Sequence, residues 1–113
     1  MATDDRRTTE VLQALAQPHR REILQLLVDG ELAAGEIAEA FSVSRPAVSQ
    51  HLRTLKEVGL VVERRDGTRR LYRLNPDPLL DLQRQLDQLW GNALHRARDL
   101  VMGEAEATRS EAG

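Results

Sequence analysis

The chain has 113 residues, no cysteine, and 16 basic against 18 acidic side chains, which gives a formal net charge of −2 at pH 7. This composition excludes disulfide bonds and thiolate metal sites, contains no apolar run as long as a membrane span, and does not by itself indicate a nucleic-acid partner. A chain of this length forms one small domain, for which dimerisation is a common way to bury more surface, so we expect a dimer.

The two ends of the chain look less structured than its middle. The first ten residues, MATDDRRTTE, carry acidic side chains where a signal peptide would carry an apolar core. Together with the lack of cysteine, this favours a cytoplasmic protein with no membrane partner. We predict a flexible N-terminus over residues 1–8, one domain over residues 9–102 and a flexible tail over residues 103–113.

Three short helices are predicted in the N-terminal part of the chain. Residues 9–16 form the first, because their apolar side chains recur at helical spacing. The second begins at Pro18, whose missing N–H costs nothing in a first turn, and is closed by Gly30. The third covers about residues 34–41, with its apolar side chains facing inward.

A fourth helix is predicted over residues 44–58. Its apolar stripe, at spacings of four and three residues, consists of Val48, Leu52 and Leu55. Ser44 is the predicted N-cap, and because Pro46 has no N–H, its side chain would accept a hydrogen bond from the amide of Ala47. The residue before the proline is the alternative boundary. Gly59 ends the helix as a left-handed cap.

A β-hairpin is predicted after this helix. The runs LVVERR and RRLYRL are β-prone and flank Asp66 and Gly67, the dipeptide that best supports a tight turn. With these two as the loop, Glu63 would face Arg70, an opposite-charge couple, and Arg64 would face Arg69. Like charges across a ladder are unfavourable unless an anion lies near them. We therefore predict that Arg64, Arg65 and Arg69 bind phosphate. The alternative is a solvated, arginine-rich hairpin.

The basic side chains concentrate in one segment. Residues 42–74 contain eight basic and three acidic residues, a net charge of +5 that leaves −7 for the rest of the chain. This asymmetry indicates one face for a polyanion on an otherwise acidic body. Two short helices joined by a tight turn and followed by a hairpin form a winged helix-turn-helix. We therefore predict a mainly α fold with a small β-hairpin.

The fourth helix of such a fold enters the DNA major groove, and its exposed face has suitable chemistry. An Arg side chain can bond guanine O6 and N7 together, a Gln side chain can bond adenine N6 and N7, and a Ser hydroxyl can bond either base. Arg53 and Lys56 lie further along the helix, where phosphate contacts are more typical. An ordinary solvated helix face is the alternative. The predicted DNA-binding residues are Ser44, Arg45, Pro46, Ser49, Gln50, Arg53, Lys56, Arg64, Arg65 and Arg69.

Three stretches cover nearly all of residues 11–74: ALAQPHRREILQLL, GELAAGEIAEAFSVSRPAVSQHLRTLKEVGLV and RRDGTRRLYRL. Together they resemble the ArsR family of bacterial winged-helix repressors. The resemblance implies a homodimer that sits on a palindromic operator and is released when a signal binds. It also implies wing contacts from the arginines around the hairpin turn. The groove contacts that it implies are Arg45, Pro46, Ser49 and Gln50.

A long C-terminal helix is predicted to form the dimer, with Asp77 as its cap and Pro78 in its first turn. Its apolar side chains recur at intervals of three and four over about six turns, more than one small domain can cover. Gly91, costly in a helix interior, fits the close approach of another helix. In the resembled family the first helix commonly joins this interface. The predicted interface residues are Val11, Leu12, Leu15, Leu82, Leu86, Trp90, Leu94, Ala97 and Val101.

The sequence departs from the metal-sensing members of the resembled family. The segment GELAAGEIAEAF lacks the cysteine pair that many of them carry in the third helix, so we predict no metal and no cofactor. The last helix offers His95 and Asp99, four residues apart on one face, and two such pairs across a two-fold axis would supply four ligands. A metal sensor that uses this site remains an alternative.

No catalytic constellation is found in the sequence. Ser49 and His51 lie two residues apart in one helix and point in different directions, so they form no nucleophile–base pair. We predict a sequence-specific DNA-binding transcriptional regulator without enzyme activity, a repressor by resemblance, whose own gene is one candidate target and whose inducer is unknown. A dimeric interaction module that docks an acidic protein on its basic face is the alternative from another class.

Overall fold

The fold is known from a computed structural model that describes the backbone of residues 2–112 and the side chains of residues 6–104. The elements in chain order are α1 (Ala2–Leu15), α2 (Pro18–Leu27), β1 (Leu32–Ala33), α3 (Ala34–Ala40), α4 (Arg45–Glu57), β2 (Val61–Asp66), β3 (Arg69–Leu74) and α5 (Asp77–Ala112). They fall into two units, residues 1–80 and residues 81–113. The second unit contains most of α5. None of the helices that the structure describes is long and apolar enough to span a bilayer.

The core of the first unit takes residues from four helices and two strands. Because helical positions three and four apart share a face, each helix contributes its own apolar stripe to this core. Among the residues described, no polar or charged side chain is buried. The buried core residues are Val11, Ala14, Ile23, Leu24, Leu27, Ile37, Val48, Leu52, Leu55, Leu60, Val61 and Leu71, and Pro78 in the first turn of α5 is also buried.

The ends of α4 confirm the predicted caps. The Ser44 hydroxyl accepts a hydrogen bond from the amide of Ala47 at 3.3 Å. At the other end, Gly59 has a φ of 80°, and its N–H bonds the carbonyl of Lys56 at 3.0 Å. The N–H of Leu60 bonds the carbonyl of Leu55 at 2.9 Å, which completes a Schellman motif. These local bonds fix where α4 begins and ends.

The hairpin formed by β2 and β3 confirms the predicted pair of strands, but the predicted loop is displaced by one residue, so each residue of β2 faces a partner two positions later than predicted. The loop residues are Gly67 and Thr68, and Asp66 already belongs to β2. A loop of Asp66 and Gly67 would be a type I′ turn, which requires positive φ at both residues. Among the described residues only glycines have positive φ, and Gly67 has a φ of 65°. Glycine at the first loop position alone fits a type II′ turn.

The corrected register changes which charges face each other across the hairpin. Asp66 faces Arg69, so opposite charges pair beside the loop. The like-charged pair is Arg65 with Arg70, one step further from the loop, and Arg64 does not face Arg69 as predicted. The repulsion that suggested an anion site therefore lies at a different pair of arginines.

Several element boundaries extend beyond the predictions. The helix α1 begins at Ala2 rather than near residue 9, and α5 continues to Ala112 rather than ending near residue 102. Both extensions consist largely of charged and small residues, so they carry no apolar stripe from which a helix could be predicted. The strand β1 is not among the predicted elements, because two residues show no periodicity; it pairs antiparallel with β3. The flexibility predicted for residues 1–8 and 103–113 stays a prediction.

Candidate nucleic-acid interface

The exposed face of α4 is determined by what the helix buries. Val48, Leu52 and Leu55 are at most 1% exposed. At about 100° per residue, Gln50 and Arg53 fall on the opposite side of the helix. The predicted groove-facing residues that the structure exposes are Ser44, Arg45, Pro46, Ser49, Gln50 and Arg53. One side of α4, including its N-terminal turn, is therefore available to a groove, as a recognition helix requires.

The hairpin and α4 border one open cleft with a volume of about 790 Å³. The cations that line it are Arg45, Arg53, Lys56, Arg69 and Arg70, and its acidic lining is Glu36, Glu39 and Glu63. Gln50 lies in an adjoining groove on α4, next to Ser49 and Arg53. Arg64 and Arg65 are exposed on β2 and are not part of the lining of the cleft. The cleft thus brings together four of the predicted residues of α4, Arg45, Ser49, Arg53 and Lys56, and one of the three predicted wing arginines, Arg69.

The carboxylate of Glu63 joins α4 to the hairpin. Its Oε2 accepts a hydrogen bond from Lys56 Nζ at 2.9 Å, and its Oε1 lies 3.5 Å from Arg70 Nε. The hydrogen bond from Lys56 lowers the pKa of Glu63 below its ordinary value. The side chain of Glu63 is 15% exposed, less than any other side chain in the described ion pairs of this interface. This ion pair is therefore the least accessible to solvent on its carboxylate side. It fixes the last turn of α4 against the wing.

Two wing arginines have carboxylate partners near β1. Arg64 Nε donates to Glu31 Oε1 at 2.9 Å and to Oε2 at 2.8 Å, and Arg64 Nη2 also donates to Oε1. Arg69 Nη2 donates to Glu36 Oε1 at 2.7 Å. The hydrogen bond from Arg64 lowers the pKa of Glu31 and raises the pKa of the Arg64 guanidinium. Both groups of that pair are therefore charged at neutral pH.

Two other predicted DNA contacts are unpaired. Within residues 6–104, neither Arg45 nor Arg65 has a carboxylate oxygen within 4.0 Å. Arg45 lies at the start of α4 and Arg65 on β2, and both are exposed. Their guanidinium groups can bind an anion without first leaving a partner.

Of the acidic residues of this interface, sequence reasoning paired only Glu63 with a cation, Arg70, and did not identify Glu31 or Glu36. Glu31, Glu36 and Glu63 hold cations of α4 or the wing, but each is a common residue in a polar stretch. The predicted register placed Glu63 opposite Arg70; the observed register places Glu63 opposite Tyr72, but Glu63 Oε1 still lies 3.5 Å from Arg70 Nε. The other two partners lie 33 residues away from their arginines, beyond any local pattern.

His51 is half-buried on α4 and contacts the ring of His19 on α2. Its ring lies edge-on to the ring of His19, with centroids 5.8 Å apart and planes at 63°. Burial lowers the pKa of His51, and the nearby charges of Arg20 and His19 lower it further. A neutral His51 therefore supports the contact of α2 with α4.

The second unit exposes the apolar stripe predicted for the dimer. Leu94 is 64% exposed and Trp90 is 56% exposed. At about 100° per residue, the predicted interface residues of α5 fall within an arc of about 120°, from Leu82 to Leu94. In α1, Leu12 is exposed, whereas Val11 is 2% exposed and already packs within its own chain. The assignment of both helices to an interface stays a prediction.

The chain matches the bacterial regulatory protein arsR family over residues 17–62, from the N-cap of α2 into β2. It is 48% identical over 96 residues to the HTH-type transcriptional regulator Rv2034 of Mycobacterium tuberculosis, which covers 85% of this chain and 90% of that protein. It is 42% identical over 71 residues to the transcriptional repressor SdpR of Bacillus subtilis, covering 63% of this chain and 79% of SdpR.

Solved structures show the same architecture. The homodimeric winged helix-turn-helix DNA-binding domain Mb0332 from Mycobacterium bovis is 36% identical, with a TM-score of 0.66, and the match covers 80% of this chain and 88% of that one. The predicted fold class, mainly α with a small winged hairpin, is confirmed by this likeness and by the elements described above.

Proposed function

This chain belongs to the ArsR family of bacterial regulatory proteins and is a DNA-binding transcriptional regulator; from that premise we propose that it is a cytoplasmic repressor that binds a palindromic operator as a homodimer. A signal molecule that lowers the affinity for the operator relieves the repression. We expect no cofactor and no catalytic activity; Ser49 and His51 are directed to different sides of α4 and so form no nucleophile–base pair.

One observation carries this proposal: the exposed face of α4 and the basic wing border the same cleft. A helix that enters the major groove places base-reading side chains at its N-terminal end, while cations beside it meet the phosphates. Arg45, Ser49 and Gln50 are exposed at that end of α4, and their polar groups match base edges.

The proposed contacts divide by chemistry. Arg45, Ser49 and Gln50 read bases, Pro46 lies against the groove wall, and Ser44 keeps the helix start in place through its bond to Ala47. The phosphate contacts are Arg53, Lys56, Arg64, Arg65 and Arg69, which carry no sequence information of their own. Affinity for any DNA then comes largely from the second group and discrimination from the first.

The proposed dimer forms through α5, together with Leu12 and Leu15 of α1. An exposed stripe of large apolar side chains is the kind of surface that marks a protein interface. A two-fold axis in that interface gives each protomer one half-site, and two recognition helices about 34 Å apart reach successive major grooves. A two-fold symmetric dimer of this kind recognises an operator whose two half-sites form a palindrome.

The test is selection of bound DNA from a random pool, followed by competition of the selected site against bulk DNA. We expect a two-fold symmetric sequence that binds about 10³-fold or more tightly than bulk DNA at physiological salt. Uniform, weak and salt-labile binding would instead support the alternative, an interaction module whose basic face docks an acidic protein. A selected site that recurs upstream of the protein's own gene would establish autoregulation.

Metal ions should not affect this binding. His95 and Asp99 are both exposed on α5, and within residues 6–104 no group of three or more His, Cys, Asp or Glu side chains is arranged around a common point. We expect stoichiometric zinc, nickel, cobalt, arsenite or antimonite to leave the operator Kd unchanged in a fluorescence anisotropy titration. A chelator-reversible loss of DNA binding that disappears in His95→Ala would establish the metal-sensor alternative.

A further inference from the structure

Most of the cations proposed to bind phosphate already have a carboxylate partner within their own chain. The pairs are Arg53 with Glu57, Lys56 with Glu63, Arg64 with Glu31, and Arg69 with Glu36. A phosphate group that approaches these cations therefore meets a competitor of the same charge. The competitors are spread along α4 and the wing, the surface that DNA would cover.

Two of these carboxylates come from a single short segment. Glu31 directly precedes β1, and Glu36 lies in the first turn of α3, which follows β1 without a break. The strand between them pairs with β3, so the segment is fixed against the hairpin. Glu36 is held further, because its Oε1 also accepts the backbone N–H of Ala33 at 3.0 Å. Both residues thus belong to a segment held beside the hairpin, and a backbone N–H also positions the carboxylate of Glu36.

The two ion pairs occupy the guanidinium groups in the way that a phosphate would. Arg64 presents its Nε and Nη2 edge to both oxygens of Glu31, and this fork is the geometry with which arginine binds phosphate. Arg69 uses Nη2 for Glu36. Neither arginine can bond a phosphate through the same N–H groups while its carboxylate is in place.

We propose that Glu31 and Glu36 are affinity-setting residues, which occupy the wing arginines Arg64 and Arg69 as internal substitutes for DNA phosphate and must be displaced when DNA binds. This inference rests on the proposed function. Each side chain of the two pairs is partly exposed to solvent, and exposed ion pairs are weak enough for a phosphate to displace them. The pairs therefore lower the affinity for every DNA sequence without preventing binding, which keeps the repressor from being held by bulk DNA.

The variant Glu36→Gln tests this exchange. Glutamine retains an oxygen that can accept the N–H of Ala33, so the start of α3 is preserved while the ion pair with Arg69 is removed. We expect tighter binding to operator and bulk DNA alike, by up to about fivefold per protomer. The slope of log K against log salt should steepen by up to about one unit per protomer, because no freed Glu36 carboxylate takes up a cation when Arg69 binds phosphate. Glu31→Gln should act in the same direction through Arg64.

The matched control Glu39→Gln distinguishes the displacement of the Glu36 carboxylate from the general effect of removing a negative charge near the cleft. Glu39 lies on the same helix, is exposed, and has no ion pair among the described residues. Glu39→Gln removes the same charge near the same cleft and should tighten binding less than Glu36→Gln. In an Arg69→Ala background, Glu36→Gln should give no more than the effect of Glu39→Gln, because no arginine is left to release.

Thermal unfolding followed by circular dichroism shows which variants are folded and can be compared. Folded Glu31→Gln and Glu36→Gln proteins that bind DNA no more tightly than Glu39→Gln would overturn the inference. A wild-type protein that prefers no DNA sequence would reject the proposed function itself. A wild type that prefers its operator, with equal effects of all three glutamine variants, would reject only the exchange.

Discussion

Leu94→Asp should convert the protein into monomers and abolish tight operator binding. The substitution puts a carboxylate into the proposed α5 interface, where an unpaired charge is costly to bury. Without the dimer each recognition helix binds alone, and loss of the second site typically costs about 10²- to 10⁴-fold in affinity. Sedimentation velocity would report the mass, and the emission of Trp90, the single tryptophan, should shift to the red as its ring becomes exposed to water.

Gln88→Asp is the matched control for this prediction. Gln88 is also exposed on α5, and at about 100° per residue it lies on the side opposite the apolar stripe. It introduces the same charge into the same helix and should leave the dimer, the Trp90 emission and the operator affinity intact. A Leu94→Asp protein that remains dimeric and binds its operator normally would show that α5 is not the interface.

Gln50→Ala should weaken binding to the selected operator by about 1–3 kcal/mol per protomer and relax the preference at one base pair of each half-site. The side chain is exposed on α4 opposite the buried stripe, where its amide can bond adenine N6 and N7 together. Binding to bulk DNA should barely change, because no phosphate contact is removed. Titrations against the operator and against operators altered at single positions would measure both effects.

Arg65→Ala should weaken DNA binding in a different way from Gln50→Ala, without changing sequence preference. Arg65 has no carboxylate partner among the described residues, so its loss removes a phosphate contact and breaks no ion pair. It should weaken binding to all sequences alike and reduce the salt slope by about 0.9 per protomer. If Gln50→Ala and Arg65→Ala gave the same sequence-independent loss, α4 would not be the recognition helix.

The helices could be predicted because their signals are local. In α4 the apolar stripe, the Ser44 hydroxyl and Gly59 all act within a few residues, and the observed bounds differ from the predicted ones by one residue at each end. The hairpin register was harder to predict, because two adjacent dipeptides around Gly67 could both form a turn. Backbone conformation decides between the dipeptides Asp66–Gly67 and Gly67–Thr68, because a turn at Asp66–Gly67 requires a positive φ at Asp66.

Only part of the candidate site could be predicted from the sequence, because the rest depends on contacts between residues far apart in the chain. The exposed face of α4 follows by subtraction from its buried stripe, which the sequence displays. The partners of Arg64 and Arg69 depend on β1 lying beside β3, a contact between distant residues. In α1, the periodicity of the sequence does not distinguish Val11, which packs inward, from Leu12, which remains exposed. Tertiary packing determines both.

The order of strands in the sheet, β1–β3–β2, leaves β2 with one side of its backbone unpaired. Such an edge can add a strand from another molecule and so begin aggregation. Here the outer part of β2 reads Glu63, Arg64, Arg65 and Asp66, four charged residues in succession. Stacking a second copy against this edge would bring these charges together, and the strand at the opposite edge, β1, offers only two residues. The charged side chains of the wing therefore also protect the protein from edge-to-edge association.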